Sequence, residues 1–312
     1  MKVLIFSHKN DIDGMGNVIL AKLAFKEVDY ILCETFELDA NVMNCIDTQT
    51  IYQYHKIFIT DLCLNEKSLK RINEDEELKT KVQIIDHHKT YDEAKYTKYS
   101  FVKVQLKNDK GICCATSLFY EYLIKHQFIK PSEIVDEFVE LTRQHDTWEW
   151  KNIYHNEKAR ELAILFDALG IEGYLSFIYD KCKSEKEFHF NEIETLLIHN
   201  KKIEISDAIS GYLNNIYYRE LLGLQAGIVF INYQYRNEVA EYLREHQYPI
   251  DFVMLISLDR NVVSYRSTKE GVSVRVVAEY FNGKGHDKAA TNPITSKQKE
   301  MIIDILTNRK EE

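Results

Sequence analysis

Aspartate and histidine residues directly follow three apolar runs in the first third of the sequence. The segment SHKNDIDG follows VLIF (3 to 6), Asp61 follows KIFIT (56 to 60), and Asp86, His87 and His88 follow VQII (82 to 85). A single aspartate after a strand is usually a turn residue or a helix cap. Here aspartates follow three apolar runs and occur together with histidine side chains. This combination indicates a metal site that suits Mn²⁺, Zn²⁺ or Fe²⁺ better than Ca²⁺.

The same apolar runs predict the elements that position these residues. Strands are predicted at 3 to 6, 30 to 33, 56 to 60, 82 to 85 and 100 to 106, with helical spacing between several of them. Strands that alternate with helices indicate an α/β fold with a mostly parallel sheet. The carboxyl ends of parallel strands lie at one edge, where such folds bind ligands. Carboxylates 4 Å apart repel by about 4 kcal/mol at a dielectric constant near 20, so their convergence calls for metal.

Length and charge limit the class of protein. The chain has 312 residues, of which 45% are hydrophobic, which is enough for two domains. Its net charge is −9, from 40 basic and 49 acidic residues, so it offers no global basic field for long nucleic acid. The six cysteines form no C-x-x-C pair, and we expect free thiols.

Hydropathy predicts a cytoplasmic protein without membrane contact. No stretch approaches the roughly 18 consecutive apolar residues of a membrane span. The apolar start KVLIF has only five residues before SHKND interrupts it, which is too short for the core of a signal peptide.

Four segments in order resemble the motifs of the DHH phosphoesterase superfamily. They are DIDG (11 to 14), TDL (60 to 62), IDHH (85 to 88) and HDTW (145 to 148). The segment VVSYRSTKEGVSVRVVAEYFNGKGHDKAAT (262 to 291) resembles the associated C-terminal domain. This second match points to the oligoribonuclease (nanoRNase) and exonuclease branch rather than to the pyrophosphatases.

The resemblance implies two divalent ions, with Mn²⁺ expected and Mg²⁺ or another divalent transition metal as the alternative. The implied ligands of one ion are His8, Asp11 and Asp61, and those of the other are Asp13, Asp61, His87 and Asp146. Asp61 would bridge the two ions, and a water between them would be activated to attack phosphorus. His8 precedes Asp11 by three positions, one fewer than in many relatives, which predicts a smaller role for His8.

Two further residues of the third motif receive catalytic roles from the resemblance. Asp86 would accept a hydrogen bond that orients a histidine ring. His88 would lie beside the phosphate as a donor or proton-transfer group.

The C-terminal match also implies the groups that bind the substrate. They are Arg266, Ser267, Gly283, Lys284, Gly285 and His286, with Ala289 and Ala290 closing the loop. Relatives usually have three glycines before the histidine, whereas this chain has Lys284 as the middle residue. A lysine there would contact phosphate or narrow the space for a base.

These observations predict three parts and a function. Residues 1–150 would form the metal-binding catalytic domain, 151–225 a rigid helical connector, and 226–312 a smaller mixed-sheet α/β domain that binds substrate. The active site would lie in the cleft between the domains. The expected activity is hydrolysis of short RNA or DNA oligonucleotides or of nucleotides, and a homodimer is compatible with the sequence.

Three alternatives remain open. The same site could remove the 3′-phosphate of phosphoadenosine phosphate, or it could cleave linear or cyclic dinucleotides. A catalytically inactive relative that only binds nucleic acid or a partner protein would have lost metal ligands, and all four motifs here retain theirs.

Overall fold

The computed structural model describes residues 1–92, 94–109 and 111–307. The chain divides into two compact units, Met1–Lys201 (the first unit) and Lys202–Glu312 (the second unit). All six cysteines are free thiols, as predicted.

Strands and helices alternate through the first half of the first unit. Its strands are β1 (Lys2–His8), β2 (Glu27–Cys33), β3 (Lys56–Thr60), β4 (Val82–Asp86), β5 (Val102–Val104), β6 (Lys107–Asn108) and β7 (Gly111–Ile112). Its helices are α1 (Ile12–Ala24), α2 (Thr35–Asp47), α3 (Glu66–Glu74), α4 (Glu76–Lys81), α5 (Ala94–Thr97), α6 (Ala115–Lys125), α7 (Glu133–Asp146), α8 (Glu149–Asn152) and α9 (Glu157–Ser184). Helix α10 (Glu192–Leu213) contains the boundary between the units.

The main sheet of the first unit is parallel, and the predicted α/β fold is confirmed. Among the described residues its strand order is β2-β1-β3-β4-β5, and every neighbouring pair is parallel. Ser7 is in register with Thr60, and Thr60 with Ile85. The residues that follow β1, β3 and β4 therefore meet at one edge of the sheet.

Alternating side chains cover both faces of this sheet with apolar cores. One face contributes Val3, Ile5 and Phe58 to a core shared with α1, α6, α7 and α9. The other contributes Leu4, Phe6, Ile57, Ile59 and Ile84 to a core shared with α2, α3 and α4. These two cores hold the carboxyl edge of the sheet in place.

Helix α9 belongs to the first unit, although we predicted that residues 151–225 connect two domains. Leu162, Leu165, Tyr174 and Ile178 are buried in the core with α1 and α7. By length and composition alone, an 18-residue window of α9 with a mean hydropathy of 1.5 could cross a membrane. The core helix of a globular protein can have the same length and composition. The backbone of α9 also departs from helical geometry at Gly170, where φ is 67°.

The second unit is a mixed α/β unit, as predicted. Its strands are β8 (Tyr217–Leu221), β9 (Leu224–Phe230), β10 (Phe252–Ser257), β11 (Val262–Ser267), β12 (Lys284–Gly285) and β13 (Ala289–Pro293). Its further helices are α11 (Arg236–Glu245), α12 (Val274–Tyr280) and α13 (Ser296–Thr307). In the described part of the chain the strand order is β12-β13-β11-β10-β9-β8; only β9 and β10 are parallel neighbours.

Packing places the boundary between the units within α10. Ile198 lies in a core of the first unit, whereas Ile205 and Ile209 lie in a core of the second. Strand β8 also belongs to the second unit, because it pairs with β9. The residues of the predicted connector are therefore divided between the two units.

Candidate metal centre and substrate-binding groups

The loop between β1 and α1 presents His8 and Asp11 to each other. Asp11 caps α1, and its Oδ1 accepts a hydrogen bond from the Gly14 amide at 2.8 Å. Its Oδ2 lies 2.5 Å from His8 Nδ1. Position 14 requires glycine, because a Cβ atom there would lie 2.0 Å from the His8 carbonyl oxygen. The short spacing between His8 and Asp11 does not separate their side chains.

Asp13 is buried and is held by the start of helix α6. Its two carboxylate oxygens accept hydrogen bonds from the amides of Ala115 (2.8 Å) and Thr116 (2.7 Å). Amide groups at a helix start stabilise a negative charge. Asp13 Oδ2 also lies 3.6 Å from His87 Nε2, so the carboxylate faces the cluster.

Asp61 lies between histidines that come from two different strands. It is 4% exposed, directly follows β3, and has a left-handed backbone with φ of 60°. Its Oδ2 lies 3.7 Å from His8 Nδ1, and its Oδ1 lies 3.3 Å from His87 Nε2. Aspartate adopts a left-handed backbone more readily than most residues other than glycine, and such conformations cluster at active sites.

His87 Nε2 faces three carboxylates. It lies 3.6 Å from Asp13 Oδ2, 3.3 Å from Asp61 Oδ1 and 3.7 Å from Asp146 Oδ2, where Asp146 ends α7. This nitrogen is buried and forms no hydrogen bond with the described residues. A buried polar atom without a partner is rare in proteins, and a metal ion would supply one.

The potential ligand atoms fall into groups that share residues. One group is His8, Asp11 and Asp61, a second is Asp13, His87 and Asp146, and a third is Asp61, Asp86, His87 and His88. Within each group the ligand atoms lie within 4.8 Å of one another. The structure thus brings together all six predicted metal ligands, and the donor set fits divalent transition metals. The binding of ions by these residues stays a prediction.

Asp86 and His88 form a pair at the end of β4. Asp86 is fully buried, and its Oδ1 lies 2.8 Å from His88 Nδ1 and accepts a hydrogen bond from the His87 amide at 2.9 Å. The histidine ring that Asp86 contacts is therefore that of His88. The His88 side chain is 52% exposed, so it can contact a bound molecule.

Burial and mutual repulsion shift the pKa values of the carboxyl groups. Burial, followed by the charges of Asp13 and Asp11, raises the pKa of Asp61 well above its ordinary value. Burial and the charge of Asp13 raise the pKa of Asp146 to about 7. Burial opposes a charged His88, but its hydrogen bond to Asp86 raises its pKa to about 9. Without a cation the cluster thus retains protons, which a divalent ion would displace.

Glu34 is a polar neighbour of this cluster that the sequence interpretation missed. It directly follows β2, and its Oε2 lies 3.4 Å from His8 Nε2. The available signal was its position after the predicted strand at 30 to 33, because that strand is the parallel neighbour of β1.

The predicted substrate-binding residues come together within the second unit. Arg266 and Ser267 end β11, and Arg266 is in register with Ala289 of β13. The Ala289 carbonyl accepts a hydrogen bond from the His286 amide at 2.8 Å, so the glycine-containing loop adjoins Arg266. That loop comprises Gly283, Lys284, Gly285 and His286, and Gly285 has φ of 152°, which favours glycine.

Arg266 has a basic neighbour that was not predicted. Its Nη2 donates to Asn237 Oδ1 at 3.2 Å. Burial and the charge of Arg236 lower the pKa of Arg266 to about 10. The Arg236 guanidinium lies over the Tyr233 ring at 3.9 Å from its centroid. The positive charges of Arg236 and Arg266 repel each other, and a bound anion would relieve this repulsion.

A parallel α/β sheet with carboxylates and imidazoles at its carboxyl edge, followed by a mixed-sheet unit, defines a DHH-type fold. The model of the DHH family, N-terminal domain, matches residues 2–143. Oligoribonuclease NrnB of Bacillus subtilis is 32% identical over 309 residues, which cover 96% of this chain and 74% of that protein. The chain therefore belongs to the DHH family, and the predicted membership is confirmed.

Solved structures share this fold at low sequence identity. The pGpG-specific phosphodiesterase PggH of Vibrio cholerae matches with a TM-score of 0.55 and 12% identity, over 98% of this chain and 97% of that one. RecJ of Thermus thermophilus, solved with Mg²⁺, matches with a TM-score of 0.54 and 11% identity, over 95% of this chain and 47% of that one. At these identities the likeness establishes the fold.

Proposed function

We propose that this protein is a divalent-metal-dependent phosphoesterase that hydrolyses short oligonucleotides or nucleotides. The position of Asp61 between His8 and His87 is the observation that carries the proposal, since it allows one carboxylate to serve two ions. Family membership supports phosphoester hydrolysis, and the 32% identical relative supports an oligonucleotide substrate.

The proposed ions are Mn²⁺, held by the six predicted ligands. His8, Asp11 and Asp61 would hold one, and Asp13, Asp61, His87 and Asp146 the other. Two such ions neutralise charge on a phosphoester and lower the pKa of water so that it becomes a nucleophile near neutral pH. Asp13 would keep its orientation throughout, because the α6 amides already fix both of its oxygens.

His88 would contact the substrate phosphate. Asp86 holds its Nδ1 at 2.8 Å, which leaves Nε2 to form a hydrogen bond with a phosphate oxygen. A hydrogen-bond donor at this position would stabilise the negative charge that develops during hydrolysis.

The second unit would bind the terminal nucleotide. Arg266, Ser267, His286 and the amides of residues 283 to 285 provide a few contacts, which suffice to orient a short substrate. The net charge of −9 disfavours the many phosphate contacts that long nucleic acid requires.

A comparison of products tests this proposal. The purified protein with Mn²⁺ is incubated with a dinucleotide, a 24-mer RNA, phosphoadenosine phosphate, a cyclic dinucleotide and pyrophosphate. We expect the dinucleotide to be hydrolysed fastest and to yield mononucleotides. Preferred hydrolysis of pyrophosphate, or a 24-mer cleaved as fast as the dinucleotide, would contradict the proposal. Preference for phosphoadenosine phosphate or the cyclic compound would instead assign one of the alternative activities.

A further inference from the structure

Glu34 lies beside the first predicted metal ligand because of how two strands pair. Strands β1 and β2 are parallel, and His8 is in register with Cys33. The residue after β2 therefore lies next to the end of β1. The Glu34 side chain uses both oxygens there: Oε1 accepts a hydrogen bond from Asn10 Nδ2, and Oε2 lies 3.4 Å from His8 Nε2.

A second glutamate of the α2 cap contacts the same loop. Glu37 Oε2 accepts hydrogen bonds from the Glu34 amide and from Lys9 Nζ, each at 2.8 Å. Glu34 and Glu37 form the capping box of α2. The start of α2 thus contacts three consecutive residues, His8, Lys9 and Asn10, through two side chains.

The two ring nitrogens of His8 face different groups. Nδ1 lies 2.5 Å from Asp11 Oδ2 and 3.7 Å from Asp61 Oδ2, on the side of the predicted ion. Nε2 faces Glu34. A histidine that binds metal through one nitrogen usually donates the N–H of the other to a carboxylate or carbonyl, which fixes the ring and its tautomer.

We propose that Glu34 is a positioning residue that accepts the Nε2–H of His8 and so keeps Nδ1 as the metal-binding nitrogen. The inference rests on the proposed function only in requiring a divalent ion at His8. It also accounts for the short spacing between His8 and Asp11, since coordination through Nδ1 demands less reach than coordination through Nε2. Loss of such a partner typically weakens metal binding by about 10- to 100-fold.

Metal binding by the full chain, without substrate, tests this role. Titration calorimetry with Mn²⁺ compares the wild type with Glu34→Ala, Glu34→Gln and the matched control Glu27→Ala, an exposed glutamate of β2. We expect Glu34→Ala to weaken one of two binding events by about 10- to 100-fold. Glu34→Gln retains an oxygen acceptor and should restore most of the affinity, and Glu27→Ala should match the wild type. Unchanged affinity in Glu34→Ala overturns the proposal.

The tautomer of His8 gives a second readout that does not depend on a variant. Nitrogen NMR of ¹⁵N-histidine-labelled wild-type protein with Zn²⁺, a diamagnetic probe, should show the proton of His8 on Nε2. A proton on Nδ1 refutes the proposal even if Glu34→Ala fails to fold. Wild-type protein that binds Mn²⁺ but leaves oligonucleotides intact would refute the proposed substrate and leave the role of Glu34 standing. A wild type that binds no divalent ion refutes both.

Discussion

His87 Nε2 lies 3.3 Å from Asp61 Oδ1, and this buried nitrogen has no hydrogen-bond partner in the described part of the chain. The two residues follow neighbouring parallel strands, β4 and β3. The two side chains meet because these strands pair. Asp61 belongs to the ligand sets predicted for both ions.

Removal of either residue should abolish hydrolysis and preserve the fold. Asp61→Ala and His87→Ala are expected to lower turnover by orders of magnitude, because both residues lie at strand ends rather than inside the apolar cores. His189→Ala, whose side chain is 66% exposed, is a matched histidine control. Turnover and circular dichroism are measured for each variant. Variants that keep wild-type turnover would show that hydrolysis does not depend on these ligands.

His8→Ala should be nearly as harmful as Asp61→Ala. The short spacing alone predicted a smaller role, but His8 Nδ1 lies 3.7 Å from Asp61 Oδ2 and contacts Asp11. Turnover and bound Mn²⁺ are compared between the two variants. A mild effect of His8→Ala on both quantities would support the expectation from spacing over that from geometry.

Metal should control both activity and stability. Excess EDTA is expected to abolish hydrolysis, and Mn²⁺ should restore it. Because a ligand that binds only the folded state stabilises it, Mn²⁺ at 100 times its dissociation constant should raise the free energy of unfolding by about 2.7 kcal/mol. Thermal unfolding with EDTA and with Mn²⁺ measures this shift. Full turnover in EDTA, with bound metal shown absent by elemental analysis, would refute the two-metal proposal.

Asp146 and His88 should each make the metal-free protein less stable as pH rises. Burial and the charge of Asp13 raise the pKa of Asp146 from 3.8 to about 7; against burial, the hydrogen bond to Asp86 raises that of His88 from 6.5 to about 9. Each group binds a proton more tightly in the folded state, so its stabilising effect is complete below the ordinary pKa and is lost as pH rises through the shifted one.

Melting temperatures of EDTA-treated protein, measured between about pH 4 and pH 9, test the direction of these two effects on stability. Asp146→Asn should flatten the dependence between about pH 4 and 7, and His88→Gln between about pH 6 and 9. Stabilisation by Mn²⁺ should increase with pH, because ligands must lose protons to bind metal. A variant whose melting temperature depends on pH as that of the wild type does would contradict the shift assigned to the replaced residue.

Arg266 and His286 should matter more for nucleotide chains than for small esters. Arg266→Ala is expected to raise KM and lower turnover on a dinucleotide, because binding energy from the terminal nucleotide also orients the scissile phosphate. A small activated phosphodiester cannot use this contact and should be hydrolysed at a similar rate. Assays of Arg266→Ala and His286→Ala on a dinucleotide, a 5-mer, a 24-mer and the small ester make the comparison. Equal impairment on every substrate would refute a nucleotide-binding role.

Gly14→Ala should damage the metal site through the backbone. Its Cβ would lie 2.0 Å from the His8 carbonyl oxygen, so α1 must move away from the end of β1. Overpacking of this kind costs about 1–3 kcal/mol. Gly211→Ala is the control, since a Cβ at that helical position meets no atom within 4 Å. The melting temperature and Mn²⁺ affinity should fall only in Gly14→Ala.

The local elements and the chemistry of the site could be predicted from the sequence. Short runs of four or five mostly apolar residues identified β1 to β4, because strands buried on both faces need apolar side chains along their length. The motifs at the ends of β1, β3 and β4 predicted the residues that now surround Asp61. These features depend on residues close together in the chain, so they are readable before the fold is known.

The distant residues that support this site could not be predicted, because strand pairing and helix packing bring them there. Glu34 reaches His8 because β2 pairs with β1, and Asp13 is held by Ala115 and Thr116 because α6 begins beside it. Likewise, α9 and the first part of α10 belong to the first unit, because their apolar side chains are buried in its core. Periodicity specifies that a helix has an apolar face, but the surface that covers this face is chosen by the packing of the whole chain.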